Sequence, residues 1–301
     1  MAAVGPAPSP AAQLPWREAF VLDGHEGAVL NVRFNTQGTY CLSCGKDRTL
    51  RLWNPHKGIP IKTYSGHGYE VRDASVSRDN RQFASVFLWD VPSGKVIRKF
   101  RGHDAAINAV VHAAGDEVLV TGGYDQCVRV WDCKSRSQEP IQSMRAFKDD
   151  VTSVAARGHE ILGASVDGTL RRFDIRMGRT YCDDVRHPVT AAAFTGDGLC
   201  LLAACLDSTL RLMDKETGEL LASYRGHTHT GVKMGCALMP NDAFVVGASE
   251  DGRVCYWELV EADLVLSFQA HKGPVCGVAA HPKGACLLTA GVDGAVRVWG
   301  T

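Results

Sequence analysis
The chain has 301 residues, with 33 Lys plus Arg set against 33 Asp plus Glu. This zero net charge argues against a broad electrostatic nucleic-acid surface. Hydrophobic residues make up 45%, ample for a continuous core, yet the longest apolar run, residues 199–206, is far too short to span a bilayer. The eleven cysteines, an odd number scattered through strand-like segments, read as small buried residues of a reduced compartment and not as a disulfide framework.

Residues 1–15 are rich in Ala and Pro and lack both the basic start and the apolar core of a signal peptide; they are expected to be a disordered tail of a soluble, intracellular protein. After them the chain alternates short strands with turns. Residues 17–22 are a strand segment, Asp23-Gly24-His25 a turn, and residues 29–34 a strand. Thr36-Gln37-Gly38 turns the chain into residues 40–43; Gly45 to Arg48 reverse it into residues 49–53; and Pro55 to Gly58 lead into an outer strand, 59–64. Strands of this length, punctuated by Gly, Asn, Asp and Pro, are an all-β pattern.

The pattern then repeats. Its endings are Leu52-Trp53-Asn54, Leu88-Trp89-Asp90, Val130-Trp131-Asp132, Arg172-Phe173-Asp174, Leu212-Met213-Asp214, Tyr256-Trp257-Glu258 and Val298-Trp299-Gly300, at steps of 36, 42, 42, 40, 44 and 42 residues. A period of about 40–45 with Gly-His early and Trp-Asp late resembles WD40 repeats, each a four-stranded blade. The expected fold is therefore an all-β, seven-bladed WD40 β-propeller over residues 16–301, a monomeric ring. Because the last repeat stops after its third strand, residues 17–22 should pair with it and close the ring, removing an exposed edge.

An acid stands six residues before the aromatic or Met in six repeats: Asp47, Asp125, Asp167, Asp207, Asp251 and Asp293. In three of them a hydroxyl precedes the acid by four residues and a His by 22, giving His25, Ser43, Asp47, Trp53; His103, Thr121, Asp125, Trp131; and His271, Thr289, Asp293, Trp299. These resemble the hydrogen-bonded tetrads of WD40 blades. Read as hydrolase triads they fail, because they recur around the ring with no oxyanion-hole loop beside them.

The second repeat is broken. His67 to Trp89 is 22 residues where the matching distance elsewhere is 28. Aligning residues 82–85 with 40–43 leaves no counterpart of Cys44 to Thr49, the reversal and its acid. Ala84-Ser85-Val86-Phe87 offers no Gly or Asn to turn the chain. The blade is shortened: either it loses a strand, or the copy is a splice or sequence variant that folds poorly.

Chemistry-bearing motifs are few. Cys41 and Cys44 have metal or redox spacing, but residues three apart on a strand point to opposite faces. His187, His229 and His281 lack ligand spacing, and there is no Gly-rich phosphate loop, so neither metal nor cofactor is expected. Arg171 and Arg172 read as a solvated strand edge. Phe173-Asp174-Ile175-Arg176 resembles, with Phe173, Asp174 and Arg176 at its key positions, the box by which some WD40 proteins dock on a cullin ubiquitin-ligase adaptor. That makes a ligase substrate receptor the alternative reading. Binding residues are expected on the face carrying the acid turns: Lys46, Arg48, Tyr69, Glu70, Tyr124, Gln126 and Glu250.

Longer stretches carry a closer likeness. Asn35-x-x-Gly38-x-Tyr40-Cys41-Leu42, Tyr64-Ser65-Gly66-His67-Gly68-Tyr69-Glu70-Val71 and Leu206-Asp207-Ser208-Thr209-Leu210-Arg211-Leu212 resemble the mitogen-activated protein kinase organizer family, also called WD repeat domain-containing protein 83. So do Lys99-Phe100-Arg101-Gly102-His103 and Ser165-Val166-Asp167-Gly168. The resemblance implies a non-catalytic scaffold that gathers components of the extracellular-signal-regulated kinase cascade. It also implies association with a prolyl hydroxylase and with pre-mRNA splicing factors, and hence both cytoplasm and nucleus. The family's blade-two turn and acidic C-terminal tail are not seen in this chain.

Overall fold
A computed structural model describes residues 14–85, 87–135, 137–284 and 286–301. They form seven four-stranded antiparallel sheets in which successive strands are neighbours, six of them uninterrupted in sequence. The seventh has the strand order Arg17–Leu22, Val296–Gly300, Leu287–Gly291, Val275–Ala280. The N-terminal strand thus closes the ring, with Leu22 opposite Val296 and Arg17 opposite Gly300. The architecture is a seven-bladed all-β propeller.

The core lies between blades. Inward residues of each sheet interlock with the next, as where Val32, Cys41 and Trp53 of one wall meet Leu22, Leu288, Val296 and Val298 of the other. Trp53, Trp131 and Trp257 are almost wholly buried, and burying a large apolar side chain is worth about 1.5–3 kcal/mol. Leu14, placed in the tail by composition, is buried against Met234 and Tyr256, and the Tyr256 hydroxyl donates to the Pro15 carbonyl at 2.8 Å. Packing therefore reaches at least two residues further than expected, because an apolar pocket receives Leu14 and Pro15; the rest of that tail lies outside the described residues.

Blade two keeps all four strands, so the first of the two alternatives, loss of a strand, is corrected. The inner two are reduced to Ser75–Val76 and Gln82–Ala84, and Phe87–Asp90 and Val96–Lys99 complete the sheet. Phe83 faces Trp89 and Ala84 faces Leu88, while the Ser85 amide donates to the Phe87 carbonyl at 3.0 Å. Reversal over so few residues is possible because the missing six would have lengthened both strands before turning. Consequently residues 71–74, the start of the innermost strand elsewhere, have no ladder partner among the described residues of their own blade.

In six repeats the Asn, Asp or Glu after the aromatic or Met has a recurring local role. Asn54, Asp90, Asp132, Asp174, Asp214 and Glu258 each accept a backbone N–H two or three residues on, fixing the reversal into the outer strand. Among the described residues no helix is long and apolar enough to cross a membrane.

Candidate functional site
The three tetrads are assembled inside their blades. Trp53 Nε1 donates to Ser43 Oγ at 2.8 Å, the imidazole of His25 lies 2.7 Å from that hydroxyl through Nε2, and its Nδ1 is 2.8 Å from Asp47. His103, Thr121, Asp125 and Trp131 repeat this at 2.7, 2.8 and 2.8 Å, and His271, Thr289, Asp293 and Trp299 at 2.7, 2.8 and 2.9 Å. A carboxylate can only accept, so neutral imidazole carries its proton on Nδ1, and Nε2 accepts from the hydroxyl. Ser43, Thr121 and Thr289 are completely buried. A hydroxyl that no substrate can reach is a strut, not a nucleophile.

Cys41 and Cys44 face different cores, Cys41 toward blade seven and Cys44 toward blade two, and burial raises both thiol pKa values. Arg172, read as solvated edge, is buried instead. It pairs with Glu160 at 2.8 Å, donates to the Lys215 carbonyl at 2.9 Å, and lies 4.2 Å from the centre of the Tyr181 ring. Strand alternation turns it inward between blades four and five, where the carboxylate and carbonyl compensate its charge. In the adaptor-like box, Phe173 is buried and Asp174 accepts the Arg176 and Met177 amides, the role its counterparts have in other blades; Arg176 is exposed.

The acid turns and Gly-His turns share one face: the Lys46 amide donates to Ala28 and the Tyr124 amide to Ala106. Gly45 and Gly123 permit this approach, since a Cβ would stand 2.5 and 2.8 Å from those carbonyl oxygens. Of the residues expected to bind partners, Lys46 and Arg48 are exposed around the first blade. Gln126, with φ of 64°, donates its side-chain amide to the Lys148 carbonyl. Tyr69 is 86% exposed, and Tyr124 and Glu70 lie beside the axial opening.

The structure joins these last two through a residue that sequence reading passed over. Arg72 pairs with Glu70 at 2.6 Å, sits 4.7 Å from the Tyr124 ring centre, and donates to the Asn108 side-chain oxygen at 2.7 Å. Beneath it, Asp73 is the hub of the channel wall. It accepts from Asn31, from Arg33 through both oxygens, and from the Ala74 and Val110 amides, all within 2.6–2.9 Å. Asp73 thereby couples blade two to blades one and three where the shortened strand cannot.

From blade six, Lys233 reaches across the opening to the Asn108 carbonyl of blade three at 2.8 Å. The loop before it is fastened by Glu250, whose carboxylate accepts the Thr230, Gly231 and Val232 amides and the Thr230 hydroxyl. Desolvation pushes this acid up, but those hydrogen bonds prevail and hold its pKa at about 2. Glu250 therefore positions the loop. The axial cavity below has a volume of about 630 Å³.

The WD40 domain (G-beta repeat) family model matches residues 16–54, 94–132, 180–214, 218–258 and 262–300; residues 55–93, with most of the shortened blade, fall between two matches. The chain is 48% identical to rat WD repeat domain-containing protein 83 over 98% of this chain and 95% of the relative. It is 48% identical to the human protein of that name, over 99% and 96%. With the Dictyostelium discoideum homolog it shares 30% over 93% and 96%. At such identity across nearly the whole ring, the chain belongs to the WD repeat domain-containing protein 83 family of WD40 propellers.

Proposed function
We propose that the chain is a non-catalytic interaction scaffold that assembles components of the extracellular-signal-regulated kinase cascade, acting in cytoplasm and nucleus. The supporting observation is the channel-mouth face. Tyr69, Tyr124, Arg72, Lys46 and Arg48 are carried there on turns anchored to rigid sheets, and aromatic and Arg side chains are the usual anchors of protein interfaces. The buried tetrad hydroxyls support a structural and not a catalytic role for the His, Ser/Thr and Asp sets. The kinase assignment, and the further settings of splicing complexes and a prolyl hydroxylase, rest on the sequence resemblance alone. Affinity purification of the tagged chain with mass spectrometry tests the reading. Several kinases of one cascade should co-purify and be lost on Tyr69→Ala or Arg48→Glu, while Arg176→Ala retains them. Recovery of no cascade kinase, or loss only on Arg176→Ala with a ligase adaptor recovered, overturns it.

A further inference from the structure
We propose that the mouth of the axial channel is a carboxylate-recognition site in which Lys233 is the counter-ion for an Asp or Glu side chain from an acidic segment of a protein partner. Among the described residues three cations, Arg33, Arg72 and Lys233, line this end of the channel, and two are already compensated. Both faces of the Arg33 fork meet Asp73, and Arg72 meets Glu70, with the Asp150 carboxyl near enough to feel its charge. Among the described residues the Lys233 ammonium meets one neutral acceptor, the Asn108 carbonyl. An ammonium has three donors, so two remain for a ligand entering the cavity.

The surroundings favour such a ligand. Lys233 is an exposed residue at the channel mouth, yet the surrounding walls take away part of its water; this desolvation, joined by nearby Arg33 and Arg72 and partly offset by Asp73, lowers its pKa to about 8. An incoming carboxylate would give the Lys233 ammonium the direct anionic partner that it lacks among the described residues. A phosphate dianion is favoured by a bidentate guanidinium fork, and here both forks are engaged by Asp73 and Glu70. One uncompensated ammonium instead suits one monoanionic carboxylate. The exposed Tyr69 and Tyr124 rings at the rim provide contact for residues flanking the acid.

This inference rests on the ring being a protein-binding platform, not on which kinases it gathers. The test is fluorescence anisotropy of the full chain with a labelled hexaglutamate peptide at low salt, with hexaglutamine, glutarate and inorganic phosphate as comparison ligands. Hexaglutamate should bind, hexaglutamine should not, and Lys233→Met should weaken binding by at least about tenfold, while Lys233→Arg retains it. Glutarate should displace the peptide only at higher concentration, and phosphate less well still. On the unaltered chain, bound peptide should slow acetylation of Lys233 but not of Lys46, a readout independent of how the variants fold. Equal affinity of Lys233→Met, unslowed acetylation of Lys233, or displacement by phosphate as readily as by glutarate overturns the proposal. If hexaglutamate fails while kinases still co-purify, the scaffold reading stands and this one falls.

Discussion

The His67 imidazole lies flat on the Phe87 ring, centroids 4.5 Å apart and planes inclined by 12°, in the blade that has lost its acid turn. Half a tetrad survives there. Ser85 Oγ is 3.0 Å from His67 Nε2, as Ser43 is bonded to His25, but among the described residues no carboxylate pairs with His67 Nδ1 as Asp47 does with His25. Among the described residues Trp89 Nε1 is buried without an acceptor, where Trp53, Trp131 and Trp299 all donate to the hydroxyl.

Inserting Cys-Gly-Lys-Asp-Arg-Thr after Ser85 should raise the melting temperature. It supplies the Nδ1 partner and lengthens the two inner strands, giving residues 71–74 a ladder. A buried unsatisfied donor costs about 1–3 kcal/mol, so a gain of roughly 2–6 °C is expected if Trp89 also regains its acceptor. An unchanged melt would show that the shortened blade has no deficit to repair.

Trp89→Phe and Trp131→Phe should differ. The first removes a donor that has no acceptor and should be close to neutral. The second removes the bond to the fully buried Thr121 hydroxyl and should cost about 1–3 kcal/mol. Urea denaturation of the two variants measures the difference; equal losses would mean that the Trp89 indole is satisfied in solution.

Acid should destabilise the ring before its carboxylates titrate. Burial lowers the pKa of His67, His112 and His227 from 6.5 to about 4, so below pH 6.5 the unfolded chain binds protons that the folded chain refuses. Stability therefore falls as pH drops from 6.5 toward 4. The tetrad acids add to this at lower pH. Burial raises their pKa values, but the bonds each accepts outweigh it, so Asp47, Asp125 and Asp293 titrate below an ordinary carboxylate and lose their stabilising effect last. Melting curves from pH 7 to 4 should show the steepest decline in that interval, and His67→Phe should flatten it; a pH-independent melt would contradict the assignment.

The ring was legible because repetition averages out local ambiguity: one Trp-Asp ending is weak, but seven endings related to it at near-constant spacing point to strand number, closure and the tetrads. Position-specific departures were not legible in that way. Arg72 occupies an innermost-strand position that holds Leu30, Thr152 and Thr190 in other blades, a discordance visible in sequence but easily taken for part of the damaged repeat. Lys233 lies within the longest step, 44 residues, where extra loop displaces the strand and hides the correspondence. Arg172 was misplaced because alternation says only that neighbours differ in side, not which side has Glu160 waiting.

Closure by the N-terminal strand should dominate stability. Leu22 is almost wholly buried against blades one and seven, and Leu22→Ala should cost about 2–5 kcal/mol. Deleting residues 1–22 removes that side chain together with the whole ladder to Val296–Gly300 and should lower the melting temperature much further. A truncated chain that melts like the complete one would mean that closure contributes little.

Glu250→Gln should loosen one loop without unfolding the ring. The carboxylate accepts three consecutive amides and a hydroxyl at 2.7–3.0 Å; an amide side chain keeps one acceptor oxygen and presents an NH₂ to donors that need an acceptor. Hydrogen exchange at Thr230, Gly231 and Val232 should speed up, while the two middle strands of blade six, Phe244–Ala248 and Arg253–Glu258, exchange as before. Because Lys233 follows directly, its reach to the Asn108 carbonyl depends on this loop, and exchange should also rise where that contact crosses the channel. Unaltered exchange at residues 230–232 would show that backbone geometry alone holds the loop, and the long approach of Lys233 across the axis would then need another cause.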